Sequence, residues 1–495
     1  MRSCQQSITV NVPQERVRKL IRHSLFAASG AGRGKKLRSV WFDTDRFDLY
    51  RSGIGLCLVD AGRIRLQQVS LADGEDYVSS FGGDFDFLGI TADKARAKLE
   101  RAQRRGLGLA FEIQAVERRW TLTLADGQSV LARLARGELR SGQRVESLCE
   151  LRLEPVEGAD GSHFCVARDL IAAFGLQVQP VPMEERGLRL ARNLALEPVR
   201  AAASPAAPQH DCIAALQAIV NACAEQFQRN EPGALASDDP EYVHQMRVAM
   251  RRLRSALRAF APLIPAAAQQ RFIPGLRALA VELGAARDWD VILDELILPV
   301  AQARTGDPRL ARLADETTAL RDAARTHCKA ALEQGEQHRL MADIVAYVQC
   351  EWRPAEGSQL PALTQFAAEC LDALHRRASK TAKRASAQDI PSLHRLRIAI
   401  KRLRYTLEFF APLFPHKAVR AYLGRTMALQ EDLGLLNDVA NAELRLADCA
   451  TKNPALAEGV AFVHGWYATR LSELLQRIPA EIAIRTKLRR FWKQR

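Results

Sequence analysis

The residues of this chain that could do chemistry stand in two rows. His244, Arg247, Arg251, Arg254 and Arg258 recur at spacings of three and four, and His394, Arg397, Lys401 and Arg404 repeat the row 150 residues later. Glu408 stands where a counterpart of Arg258 would fall, and Arg252 and Arg402 add one further cation beside each row. On a helix such a row is a single stripe, with members about 5 Å apart along the axis. Before Glu408, no acid at i+4 neutralises it. Uncompensated cations in line repel one another. The chemistry they fit is capture of an oxyanion through charge and guanidinium hydrogen bonds.

The elements that must position them are readable from the residues just before. Val243, Met246, Met250, Leu253, Leu257 and Phe260, then Leu393, Leu396, Ile400, Leu403, Leu407 and Phe410, keep the spacing of a helix with one buried face. The spacing predicts helices over Glu241–Ala261 and Ser392–Ala411, with the cationic stripe about 100° around from the core seam. Asp239-Pro240-Glu241 reads as an N-cap, a proline at the first helical position and an acid in the first turn. His244 and Arg247 therefore begin the stripe near the positive end of the helix dipole, where an anion is favoured and a cation is not. A solvated basic face is the plain alternative for one such helix; two copies with the same histidine, cations and core weigh against it.

A second motif is duplicated at the same offset: Glu282-Leu283-Gly284 through Asp288 answers Asp432-Leu433-Gly434 through Asp438. This is an internal duplication. Gly284 and Gly434 are expected to let helices pack closely, and Asp288 and Asp438 to pair with arginines and orient them. Helices are expected to end near Leu283 and Leu433 and to restart at Trp289 and Val439. Lys380, in the run His375–Lys380 with Lys383 and Arg384 beyond, extends the basic surface of the second half.

The chain has 495 residues, too many for one core, and 71 basic against 57 acidic side chains leave it at +14. That balance calls for an acidic partner. Ten cysteines are scattered without a Cys-x-x-Cys pair, as expected of buried thiols in a reducing cytosol. Residues 1–7 lack the apolar core of a signal peptide, and no apolar run has membrane-spanning length. The expectation is a cytoplasmic protein with no membrane association.

Residues 1–196 read as many short strands with few helices, which suggests an antiparallel sheet or closed barrel. Trp41-Phe42-Asp43-Thr44, Leu49–Leu56, Val116–Trp120, Ala135–Glu138 and Cys149–Glu154 resemble the CYTH family, the triphosphate tunnel metalloenzymes. The resemblance implies an eight-stranded barrel that hydrolyses triphosphates, with glutamates for a divalent metal and Arg/Lys for phosphate. The departures fall on that chemistry. Ser7–Asn11 carries no carboxylate where the family has Glu-x-Glu-x-Lys, Cys57-Leu58-Val59 replaces Arg-x-Arg, Ala135 replaces an acid, and Glu150 is followed by Arg152 in place of a second glutamate. A single glutamate cannot supply the oxygens a hard divalent cation needs. No catalytic residue, metal site or cofactor is therefore expected, and the barrel reads as a scaffold.

Residues 197–209 form a Pro/Ala linker. Beyond it, His-x-x-Arg-x-x-x-[Arg/Lys]-Arg-Leu-Arg and Leu-Gly-x-x-[Arg/Asn]-Asp, each present twice, with Phe491-Trp492 near the end, closely resemble the CHAD domain. The resemblance implies two four-helix bundles related by a pseudo-twofold axis, with basic surfaces that bind inorganic polyphosphate. The expected fold is thus multidomain. A degenerate CYTH-like antiparallel β-barrel/α+β domain spans 1–196, and an all-α CHAD domain spans 210–495, its two repeats at about 210–345 and 360–495. The expected function is non-catalytic polyphosphate binding by the duplicated stripes, compatible with association with polyphosphate granules. An inorganic triphosphatase acting in the barrel is the first alternative. Nucleic-acid binding is the second, disfavoured because aromatic stacking platforms among the cations are sparse. Polymer length and oligomeric state stay open.

Overall fold

The structure, a computed structural model, describes residues 7–30, 34–61, 64–72, 74–156, 161–354 and 359–493. It divides into two compact units, one of residues 1–197 with 341–351 and the other of 198–340 with 352–495. The segment 341–351, which the sequence places in the helical region, belongs to the first unit. Among the described residues no helix is long and apolar enough to cross a membrane, and each of the nine described cysteines is free.

Among the described residues the first unit is built on one antiparallel sheet of nine strands, in the order β5 (Asp76–Ser80), β4 (Ile64–Leu71), β3 (Ile54–Ala61), β2 (Lys35–Asp43), β6 (Gly108–Thr123), β7 (Ser129–Ser141), β8 (Arg144–Pro155), β1 (Ile8–Asn11) and β9 (Gln177–Val178). The long strands β6, β7 and β8 form its centre, and β1 pairs with β8 so that Thr9 faces Arg152 and Asn11 faces Glu150. Side chains of β8 alternate between the two faces of the sheet. Leu151 and Leu153 enter a core with Trp120, Leu122 and the helix Ser162–Phe174. Glu150 lies on the other face, together with Leu148 and Phe111. That face is covered by a helix the sequence reading missed, Met183–Arg192, whose Gly187 lies against the Phe111 ring so closely that an added Cβ would meet it at 2.2 Å.

The second unit is helical. In order, α1 is Cys212–Ala236, α2 is Pro240–Ala259, α3 is Ala266–Asp290, α4 is Pro308–Glu333, α5 is Leu363–Ala382, α6 is Ile390–Phe410, α7 is His416–Lys452 and α8 is Ala457–Thr486. Each helix packs on the next within α1–α4 and within α5–α8, while α2 meets α6 and α4 meets α8 across the repeats. The seam predicted from periodicity is the core. Met246, Met250, Leu253, Leu257 and Phe260 of the first copy, and Leu393, Leu396, Ile400, Leu403, Leu407 and Phe410 of the second, are each at most 2% exposed. Asp239 caps α2 by accepting from the Glu241 amide at 2.9 Å.

The expected breaks at Gly284 and Gly434 do not occur. α7 runs unbroken through Gly434, and α3 continues through Gly284 into a π-helical stretch, Val291–Ile297, and on to Ala303. A glycine inside a helix costs about 1 kcal/mol but does not end it. Remaining helical carries Asp288 and Asp438 around to the side of α2 and α6.

Candidate anion-binding site

The contact between α2 and α6 sets the two stripes in one electrostatic neighbourhood. Arg251 of the first repeat bears on both Arg397 and Lys401 of the second. Further along, Arg402 of the second repeat bears on Arg254 and Arg258 of the first, joined by Arg277 from α3. Burial draws the Lys401 ammonium down to about 7, and Arg397 and Arg251 push it the same way. Burial likewise lowers Arg258 to about 10, with Arg254 and Arg402 adding to the shift. Cations held so that their proton affinity falls form a site short of negative charge.

The stripes are not uniformly free of acids, and here the expectation needs correcting. Arg247 lies 3.6 Å from Asp288, Arg397 3.4 Å from Asp438 and Arg404 3.2 Å from Glu408. Arg404 also lies over the Tyr405 ring at 4.9 Å. Among the described residues Arg251, Arg254, Arg258, Lys401 and Arg402 have no carboxylate in ion-pair range, and the Nε groups of Arg251 and Arg254 are buried without a hydrogen-bond acceptor. Asp288 and Asp438 thus each stand in ion-pair range of one stripe arginine, and Asp288 also lies 2.8 Å from Arg445.

Arg252 does not belong to the binding set. Its side chain is 5% exposed, donates to Gln226 at 3.3 Å and lies over the Phe409 ring. Its counterpart 150 residues later, Arg402, is half-exposed and lines two cavities. His244 is half-buried, and burial together with the Arg287 charge brings its imidazole down to about 4, so it is neutral at pH 7. His394 is exposed and its Nδ1 is hydrogen-bonded to Asn437. Gly284 serves a different neighbour from the one expected: a Cβ there would meet Arg247 Nη1 at 2.7 Å, so the glycine makes room for the guanidinium. Gly434 faces no atom within 4 Å, and close helix packing does not account for it. Lys380 lines a cavity between α5 and α6, together with Arg402.

Arg277, Arg287 and Arg395 also contribute charge and were missed by the sequence reading. Their counterparts 150 residues away are Met427, Asn437 and Gln245, so a search for repeated cations passes over them.

In the first unit, Arg119, Arg133 and Arg152 sit side by side on β6, β7 and β8. Three carboxylates on that face are engaged by arginines: Glu117 by Arg119, Glu154 by Arg133 and Arg152 at 2.9 Å each, and Glu150 by Arg186 of the covering helix at 2.5 Å. Burial raises the Glu150 carboxyl, against the pull of Arg186. Among the described residues no three His, Cys, Asp or Glu side chains converge as metal ligands would.

Comparison with known proteins places this geometry in context. The CHAD domain family model matches residues 218–447. The crystal structure of the CHAD domain from the plant Ricinus communis is 35% identical, covers 58% of this chain and 97% of its own, and superposes with a TM-score of 0.51. More distant are PptA from Streptomyces chartreusis, at 17% identity over 55% of this chain and 99% of its own (TM-score 0.44), and a candidate adenylate cyclase from Bacillus halodurans, at 14% over 37% and 95% (TM-score 0.28). No curated protein matches the chain.

Proposed function

Because the chain belongs to the CHAD domain family, we propose that its helical unit binds inorganic polyphosphate, without catalysis, in the cleft where α2 meets α6. The observation that carries this reading is the trio Arg251, Arg397 and Lys401, contributed by both repeats and drawn together with only Asp438 opposing their charge. A phosphate polymer supplies the missing negative charge at closely spaced intervals and has no base to be read. Each guanidinium or ammonium bond to it contributes about 1.5–3 kcal/mol. Asp288 and Asp438 hold Arg247 and Arg397 at the cleft wall, so less side-chain freedom is lost on binding. Arg254, Arg258, Arg277 and Arg402 continue the track past the trio, which suits an extended ligand over a compact one. Granule association in the cytoplasm fits this activity.

The sheet unit is read as a scaffold, because Glu150, the one carboxylate kept from the late Glu-x-Glu pair, is engaged by Arg186, and Glu117 and Glu154 are likewise held by arginines. Phosphate release from tripolyphosphate with magnesium or manganese would overturn that part. The cleft is tested by calorimetric titration of long-chain polyphosphate into the full chain, with DNA as competitor, repeated on Arg251→Ala/Lys401→Ala. Tight polyphosphate binding in the unaltered chain and a loss of about a hundredfold in the variant is expected, and equal affinity in the two would remove the cleft from consideration.

A further inference from the structure

We propose that the groove between α5 and α6 is a second phosphate-binding site, taking the stretch of polymer that leaves the cleft. The proposal rests on the polyphosphate reading above. The groove contains a cavity of about 630 Å³ lined by Arg377, Lys380, Arg384, Arg395 and Arg402 and by no carboxylate. Arg377 and Lys380 lie about one turn apart near the end of α5, Arg384 follows in the turn just beyond it, and Arg395 and Arg402 stand two turns apart on α6, so cations line both walls. Asp389 approaches Arg395 at 3.4 Å; among the described residues the other four have no carboxylate in ion-pair range. Arg402 connects this groove to the cleft, since its charge is felt by Arg254 and Arg258 on one side and it feels Arg377 on the other.

The first repeat shows that the fold does not require such a groove. At the corresponding positions stand Phe227, Asn230, Ala234, Gln245 and Arg252, and the space is closed. Gln226 donates to Gln245 at 3.0 Å, Arg252 donates to Gln226, and Asn230 exchanges two hydrogen bonds of 2.9 Å with Val199 of the linker. One bundle has filled this position with mutually satisfied amides and a strap of linker, and the other has opened it and lined it with charge. A merely solvated face would need neither the concavity nor the absence of acids. No aromatic side chain lines the cavity, which favours a bare phosphate chain over nucleic acid.

The test uses the full chain and two probes, tripolyphosphate and long-chain polyphosphate, titrated into the unaltered protein, the groove variant Lys380→Ala/Arg384→Ala/Arg395→Ala and the cleft variant Arg251→Ala/Lys401→Ala. Tripolyphosphate is too short to occupy both sites. Two should bind per unaltered chain and one per groove variant, while long-chain affinity falls about tenfold in that variant and the salt dependence loses about two counterions. The three groove residues are exposed, so folding is expected to persist; the single exposed change Lys380→Glu gives an independent reading in the same direction. Unaltered stoichiometry and long-chain affinity in both groove variants would overturn the second site, as would a loss confined to single-stranded DNA binding. An unaffected cleft variant would instead defeat the cleft, leaving the groove to stand or fall on its own variants.

Discussion

The two helical repeats share the same order of packed helices and place their cations differently. In the first, Arg252 is internal, bonded to Gln226 and laid over Phe409, whereas its counterpart Arg402 faces the cavities. Arg258 in the first has no acid partner, whereas the second has Glu408 at that position, paired to Arg404. Asp288 grips an arginine from each repeat, while Asp438 meets Arg397 of its own repeat and Asn437. Duplication supplied a scaffold with twofold opportunity, and later divergence made the two halves contribute unlike parts to one surface. Pseudo-symmetry survives at the apolar seam and at the Asp–Arg pairs of Arg247 and Arg397; where it is lost, the two halves differ in which cations are internal and which are exposed.

The sharpest way to break this comparison is to remove the cations at which the halves meet. Arg251→Ala/Arg397→Ala/Lys401→Ala should weaken polyphosphate binding about a thousandfold by calorimetry, at a few kcal/mol for the set; alanines at Arg420, Arg425 and Arg470 should leave it nearly unchanged. Next comes the Arg252/Arg402 contrast. Arg252→Ala strands a buried amide and opens a cavity, so it should cost about 2–3 kcal/mol in denaturant unfolding with little direct effect on affinity. Arg402→Ala should do the reverse, lowering affinity about tenfold with the melting temperature nearly unmoved.

The third effect is pH. Lys401 is held near 7 in the free protein, and the bound polymer needs its charged form. Affinity should therefore decline as pH rises above 7, by up to about tenfold per unit, with proton uptake seen as a buffer-dependent binding enthalpy. Lys401→Arg should flatten the profile. Stability moves the other way: the unfolded chain holds this proton up to about 10.5 and the folded chain only to about 7, so Lys401 favours folding increasingly as pH climbs through that window. Smallest is the glycine pair. Gly434→Ala should raise stability by up to about 1 kcal/mol in thermal melts and leave binding unchanged. Gly284→Ala should gain less and weaken binding a few-fold, because the new methyl group displaces Arg247 from Asp288. Equal behaviour of the two would dissolve the distinction drawn between them.

Periodicity exposed the seam, the stripes and the duplication because each is a one-dimensional pattern in which neighbours three and four apart share a face. What it could not expose is which side of a shared pattern meets which neighbour. Arg252 and Arg402 both precede Leu and Arg in nearly the same words, and only Phe409 and Gln226, distant in the chain, make one internal. Gly284 and Gly434 look like helix breakers, since local propensity does not register the guanidinium that one of them accommodates. The helix Met183–Arg192 escaped notice because its apolar residues are few and its glycine answers the Phe111 ring on another strand. The alternation of β8 was legible, but the engagement of Glu150 by Arg186 depended on that unseen helix.

The path of the chain between the units carries a practical lesson. It crosses at 197–198, returns at 340–341 and crosses again at 351–352, so a single proteolytic cut cannot release either half. A truncation that begins after the Pro/Ala linker would still carry Met341, Ile344, Ala346 and Val348, each at most 1% exposed in the intact protein, with their own unit deleted. Such a fragment should be sticky and prone to self-association unless 341–351 is replaced by a short polar bridge.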